Sequence, residues 1–211
     1  MDQENNTGDV EMDFVGHVGI SQGIGSLEPS FDDFISELLL TEMGSSGRVR
    51  QKDGRRAIKK IVSEIYSPPR VTDLLTKIKS RHLMAGFALD LTVLDEDGQP
   101  WDFSLEEKRA KARRLVRQQK PYMLIGSPAC KDFSAWQALN AAKSSDPEAM
   151  ERARVASVMH LNFVASLYQE QVDGGRYFLH EHPLHATSWQ EASIKDILGI
   201  DGVQLVHGDQ C

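Results

Sequence analysis

Cysteine is nearly absent from this chain, which has two in 211 residues, one of them the C-terminal Cys211. Two cysteines build neither a disulfide framework nor a closed thiolate metal site. Long apolar runs are missing too, so nothing reads as a bilayer-crossing helix. The N-terminus is acidic where a secretory leader would be basic and then apolar. These absences together predict an intracellular protein with no membrane partner, leaving nucleus and cytoplasm equally open. The third absence is local: Met1–Gly47 contains ten acidic residues and no Lys or Arg. All 24 basic residues therefore fall from Arg48 onward, against 21 acidic ones.

The chain accordingly divides into three parts. Residues 1–47, rich in Gly, Ser, Asn and acid, read as a disordered or weakly ordered acidic tail. Within it Phe31, Phe34, Ile35 and Leu38 recur at helical spacing behind a Ser30 cap. This short amphipathic helix is expected to fold back on the body. Residues 48–60, RVRQKDGRRAIKK, form a basic linker that either contacts phosphate backbones or is simply solvated. Residues 61–211 are long enough to bury one substantial core.

That body alternates strand-like and helix-like segments. Strands are predicted at Ile61–Tyr66, Gly86–Val93, Tyr122–Ile125, Tyr177–Leu179 and Val203–Val206. Helices are predicted at Val71–Ser80, Leu105–Gln119 (capped by Ser104), Phe133–Ala142, Pro147–Gln171 and Trp189–Leu198. The alternation predicts an α/β fold: a Rossmann-like, mostly parallel sheet with helices on both faces. The end at Cys211, just past a strand, reads as C-terminally incomplete.

Ligands of such sheets sit outside the carboxyl ends of the strands. The residues expected there are Glu64 with Ser67-Pro68-Pro69-Arg70, then Asp90, then Trp101-Asp102-Phe103, then Gly126-Ser127-Pro128-Ala129-Cys130, then His180-Glu181-His182-Pro183. A thiol on a strand-end loop is a candidate nucleophile, and Lys131 beside Cys130 favours the thiolate. The plain alternative is a small half-buried Cys beside a turn, and for Glu181 a carboxylate capping a neighbouring turn. His180, His182 and His185 invite a metal-dependent hydrolase reading, although a further ligand would have to come from elsewhere. Trp136 and Trp189 are candidates for base stacking or for the core.

Gly126-Ser127-Pro128-Ala129-Cys130-Lys131-Asp132-Phe133-Ser134 resembles the nucleophile loop of the C5-cytosine DNA methyltransferases, class I enzymes that use S-adenosylmethionine. The resemblance implies that Cys130 attacks C6 of a flipped-out cytosine while Glu181 holds N3 of the ring. It also implies that Glu64, Tyr66 and Ser67 line the cofactor's first loop. Asp90 would then meet its ribose and Asp102 its adenine amino group. The family's first loop is glycine-rich, whereas Ser67-Pro68-Pro69-Arg70 has no glycine. This resemblance covers Ile61 to about Val206; the run from Ser67-Pro68-Pro69-Arg70 through His180-Glu181-His182-Pro183 to Asp209-Gln210-Cys211 also looks like part of a retrotransposon-type polyprotein, which makes the rest of that product a partner. The expectation is a degenerate methyltransferase-like domain that binds nucleic acid or protein. The alternative is an active S-adenosylmethionine-dependent cytosine-C5 methyltransferase. No residue is assigned to a metal.

Overall fold

A computed structural model describes residues 14–19 (as backbone), 59–78, 80, 82–134, 137 and 146–208. The Phe31–Leu40 helix, most of the basic linker, the 138–142 end of the Phe133–Ala142 helix, Trp136 and Cys211 lie outside the described residues.

Six strands form one sheet: β1 (Phe14–Gly19), β2 (Lys60–Ile65), β3 (Leu83–Leu89), β4 (Met123–Gly126), β5 (Tyr177–Pro183) and β6 (Val203–Gly208). Their order is β3-β2-β4-β5-β1-β6. β3, β2, β4 and β5 are parallel and form the four-stranded heart of the expected mostly parallel α/β sheet. β1 runs antiparallel to both β5 and β6. Sequence patterning showed no strand at Phe14–Gly19, where glycines interrupt the alternation. Pairing with two neighbours supplies what local propensity does not.

Among the described residues the helices of more than one turn are α1 (Val71–Ile78), α2 (Glu106–Gln119), α3 (Pro147–Asp173) and α4 (Ala192–Leu198). They divide between the two faces. One core layer joins Ile65, Leu124 and Phe178 to Ala112 and Val116 of α2, Leu161, Val164 and Tyr168 of α3, and Ile194 and Ile197 of α4. The other joins Val62 and Ile125 to Leu75 of α1, with Leu83, Ala85, Met123 and Leu179 packed around them. Each fully buried aliphatic or aromatic side chain contributes about 1.5–3 kcal/mol. The α3 layer therefore dominates stability, with Leu161, Val164, Leu167 and Tyr168 wholly out of solvent.

Boundaries differ from the sequence reading in several places: β3 starts at Leu83, β5 runs on through His180–His182 to Pro183, and Phe133 closes a 3-10 turn in place of opening a helix. β3 ends at Leu89 because the Asp90 carboxylate accepts the Thr92 N–H at 2.9 Å and bends the chain. The cap position of α2 is Leu105, whose side chain makes no capping hydrogen bond, in place of Ser104. The last helix starts at Ala192, behind a separate 3-10 turn at Thr187–Gln190.

Chain direction sets the crevice. β2 leads through α1 to β3 on one side, while α2 carries the chain back past β2 to β4 on the other. The strand order thus reverses between β2 and β4, the point where open α/β sheets bind ligands.

Candidate functional site at the strand ends

Beyond β2 the chain turns through Ser67-Pro68-Pro69-Arg70 into α1. Glu64 is almost wholly buried, and its carboxylate is spent on that turn. It accepts the Thr72 N–H at 2.8 Å, the Thr72 hydroxyl at 2.6 Å, and the Val71 and Arg70 N–H groups at 3.1 and 3.3 Å. The first N–H groups of a helix have no partner within it, and an anion there also suits the helix dipole. Glu64 does from the preceding strand what a capping side chain does locally. Ser67, also buried, donates its hydroxyl to the Pro68 carbonyl and accepts the Arg70 Nε–H at 3.2 Å.

Tyr66 holds φ at 57°, a left-handed conformation uncommon for a bulky residue. Its ring lies 4.7 Å from Phe103, and its hydroxyl is hydrogen-bonded to Nδ1 of His160 at 2.9 Å. Burial raises the phenol's pKa far above its usual value. Burial, and then the nearby Arg109 charge, lowers that of His160. Asp102 accepts the Ser104 N–H at 2.9 Å, and its pKa is held down by the Ser104 hydrogen bonds and the nearby His160. Tyr66, Asp102, His160 and Arg109 therefore form one polar group outside β2. Asp90 is occupied by Thr92 in its own turn.

Beyond β4 and β5, Ser127 donates its hydroxyl to Glu181 at 2.5 Å. Arg70 reaches the same oxygen with Nη2 at 3.3 Å. Ser127 N–H also donates to the Ile65 carbonyl at 3.2 Å. Arg70 and Ser127, from the loops after β2 and β4, and Glu181, near the carboxyl end of β5, thus meet at the switch point. Cys130 follows Ser127 by three residues. It is a free, half-buried thiol at the head of the 3-10 turn Lys131–Phe133.

The loop is anchored on both sides of that thiol. His182 donates Nε2–H to the Pro128 carbonyl at 2.8 Å, while its Nδ1 accepts the Ser188 hydroxyl at 2.6 Å. Downstream, Phe133 is fully buried and Asp132 accepts the Ser157 hydroxyl at 2.6 Å. A cavity of about 590 Å³ opens beside this turn, between Lys131, Asp132, Met150, Arg154 and Thr187. Neither Cys130 nor Glu181 lines it.

Two of the HEHPLH histidines, His180 and His182, act within the core, whereas His185 is exposed. His180 and His182 share a face as strand alternation requires, with ring centroids 4.9 Å apart, and His180 is hydrogen-bonded to the Tyr168 hydroxyl. Among the described residues no three His, Cys, Asp or Glu side chains are grouped to hold a metal.

Burial lowers the His182 pKa to about 4, so the ring is neutral at pH 7. The unfolded ring titrates near its usual 6.5, so the unfolded state takes up a proton first as pH falls. Stability should be complete above about pH 6.5 and fall by about 3 kcal/mol toward pH 4, at about 1.36 kcal/mol per unit. Thermal melts at pH 7, 5.5 and 4.5 check this. His182→Gln should flatten the part of the curve that belongs to this ring.

Sequence reading placed Glu181 and the Cys130 loop at this rim but assigned no role to Arg70, Ser127 or His160. Arg70 and Ser127 stood in the quoted motifs; His160 was lost in the apolar stripe of α3. Among the described residues no helix is long and apolar enough to cross a membrane. No family model, curated protein or solved structure matches this chain.

Proposed function

We propose that this chain is a methyltransferase-like α/β domain that binds nucleic acid and does not transfer methyl groups. The supporting observation is the commitment of Glu64. Its carboxylate already holds the α1 amides and the Thr72 hydroxyl, so it offers no lone pairs to an adenosyl cofactor. Pro68 and Pro69 bring no N–H to the same turn. Arg70 crosses from that turn to Glu181 over the strand ends. These residues do not fit S-adenosylmethionine, which needs close backbone approach and an available acid.

Nucleic acid is favoured as the partner by the basic stretch Arg48–Lys60. β2 begins at Lys60, so this stretch joins the sheet at the amino edge, away from the strand-end crevice. The full chain should bind a fluorescent DNA duplex with steep salt dependence. Replacing the Lys and Arg of 48–60 by Gln should weaken binding at least tenfold in low salt and flatten the slope. Unchanged binding defeats the proposal.

One observation favours the active alternative: Cys130 is free and sits on a loop held from both sides. Under that reading S-adenosylmethionine gives a saturable calorimetric titration, and DNA containing 5-fluorocytosine forms a Cys130-dependent adduct. Under ours, millimolar cofactor gives no heat and no adduct forms.

A further inference from the structure

The two faces of the sheet are unequally covered. α2, α3 and α4 pack on one face, whereas α1 is the only described helix on the other, where it lies over β2 and β3. On that second face β4 and β5 carry Ile125, which is buried, and Met123 and Leu179, which are half-buried, although α1 lies over β2 and β3. α1 also leaves Leu74 and Ile78, one turn apart, more than half exposed. Apolar strand faces of a parallel sheet are normally covered on both sides.

The chain path says what is available to cover them. β1 runs antiparallel to β5, so Gly19 lies at the amino edge of the parallel strands, the edge from which β2 departs at Lys60. Residues 20–59 must connect these two points past β5 and β4. Three strand spacings of about 4.8 Å separate β1 from β2, and a ten-residue helix is about 15 Å long. Within residues 20–59, Phe31–Leu40 carries four apolar residues at helical spacing, Phe31, Phe34, Ile35 and Leu38, with no glycine among them, whereas Ile20, Ile24 and Leu27 are interrupted by Gly23 and Gly25. Asp32, Asp33 and Glu37 fall on its other side.

We infer that Phe31–Leu40 is the missing cover. It docks its Phe31/Phe34/Ile35/Leu38 stripe on Met123, Ile125 and Leu179, beside α1. The acidic head then belongs to the fold of the body, and its charged side faces solvent near the basic linker.

A nitroxide at Asp33→Cys, in the full chain carrying Cys130→Ser and Cys211→Ser, reads the contact by paramagnetic broadening of methyl signals. The Met123, Ile125 and Leu179 methyls should lose most of their intensity, while Ile197, across the sheet, keeps its own. Adding Phe34→Asp and Leu38→Asp should restore the lost signals with the Ile197 shifts unchanged. Retained intensity at all three methyls overturns the inference. So does broadening seen only when spin-labelled chains are mixed with isotope-labelled, label-free chains, since the occupant would then be a second copy. In the unmodified chain, chymotrypsin should cut within Phe31–Leu40 no faster than it cuts the sheet. Rapid, selective cleavage there also overturns it.

Discussion

Replacing Gly126 by alanine should lower the midpoint of thermal unfolding by about 10 °C. A Cβ built on Gly126 would lie 2.1 Å from the Tyr168 hydroxyl oxygen, and 3.0 Å from both Tyr168 Cζ and Val164 Cγ2. Tyr168 cannot swing away. It is wholly buried, stacked on Phe178 at 4.5 Å and hydrogen-bonded to His180. Overpacking a dense core costs about 3 kcal/mol, and in a domain this size each kcal/mol moves the midpoint by about 2–4 °C. A cycle with Tyr168→Phe separates this collision from any generic effect of losing a glycine. The Phe variant alone should cost about 1 kcal/mol for the lost hydrogen bond. The double variant should be more stable than the sum of the two losses, because the closest atom is gone while Cζ remains tight. Additive losses, or a Gly126→Ala melt within error of the parent, would show that the Tyr168 hydroxyl does not occupy this space. Gly126 also ends β4, so displacing it moves the Ser127–Cys130 loop away from Glu181.

That glycine illustrates what the chain reveals by itself. A Gly after a short apolar run announces the end of a strand; that it also makes room for a tyrosine 42 residues later is a tertiary fact. The parallel sheet was legible because its strands are apolar and separated by amphipathic segments. The boundary of β3 was not. Ala88-Leu89-Asp90-Leu91-Thr92-Val93 alternates like a strand, yet the Asp90–Thr92 hydrogen bond breaks it and Leu91 is exposed. The rim was legible in outline, since strand ends can be counted: Cys130 follows β4, whereas Glu181 lies inside β5, which runs on to Pro183. What each carboxylate binds was not legible. Glu64 and Glu181 stand in similar strand-end contexts, but one is buried beneath a helix N-terminus and the other meets Arg70 and Ser127. The difference lies in which loop folds over which strand, and no local pattern carries it.

Glu64 therefore gives the sharpest separation between a structural and a cofactor role. Glu64→Ala should destabilise the domain by about 3–4 kcal/mol, because hydrogen bonds to a charged acceptor contribute about 1.5–3 kcal/mol each and their buried donors would be left unpaired. The donors at stake are the Thr72, Val71 and Arg70 N–H groups and the Thr72 hydroxyl. Glu64→Gln should recover only part of the loss. Its amide oxygen can still accept, but the NH2 group must face donors. Thr72→Val, which removes the 2.6 Å hydroxyl contact alone, should cost about 1–2 kcal/mol and be strongly non-additive with Glu64→Ala. Hydrogen exchange should show the loss first in α1, which is short and whose first amides Glu64 holds. If Glu64 instead served a cofactor, its replacement would leave the melt and the α1 amides nearly unchanged and alter only ligand binding. Chemical denaturation of the two Glu64 variants beside the parent decides the matter, and an unchanged midpoint would return this acid to the ligand crevice.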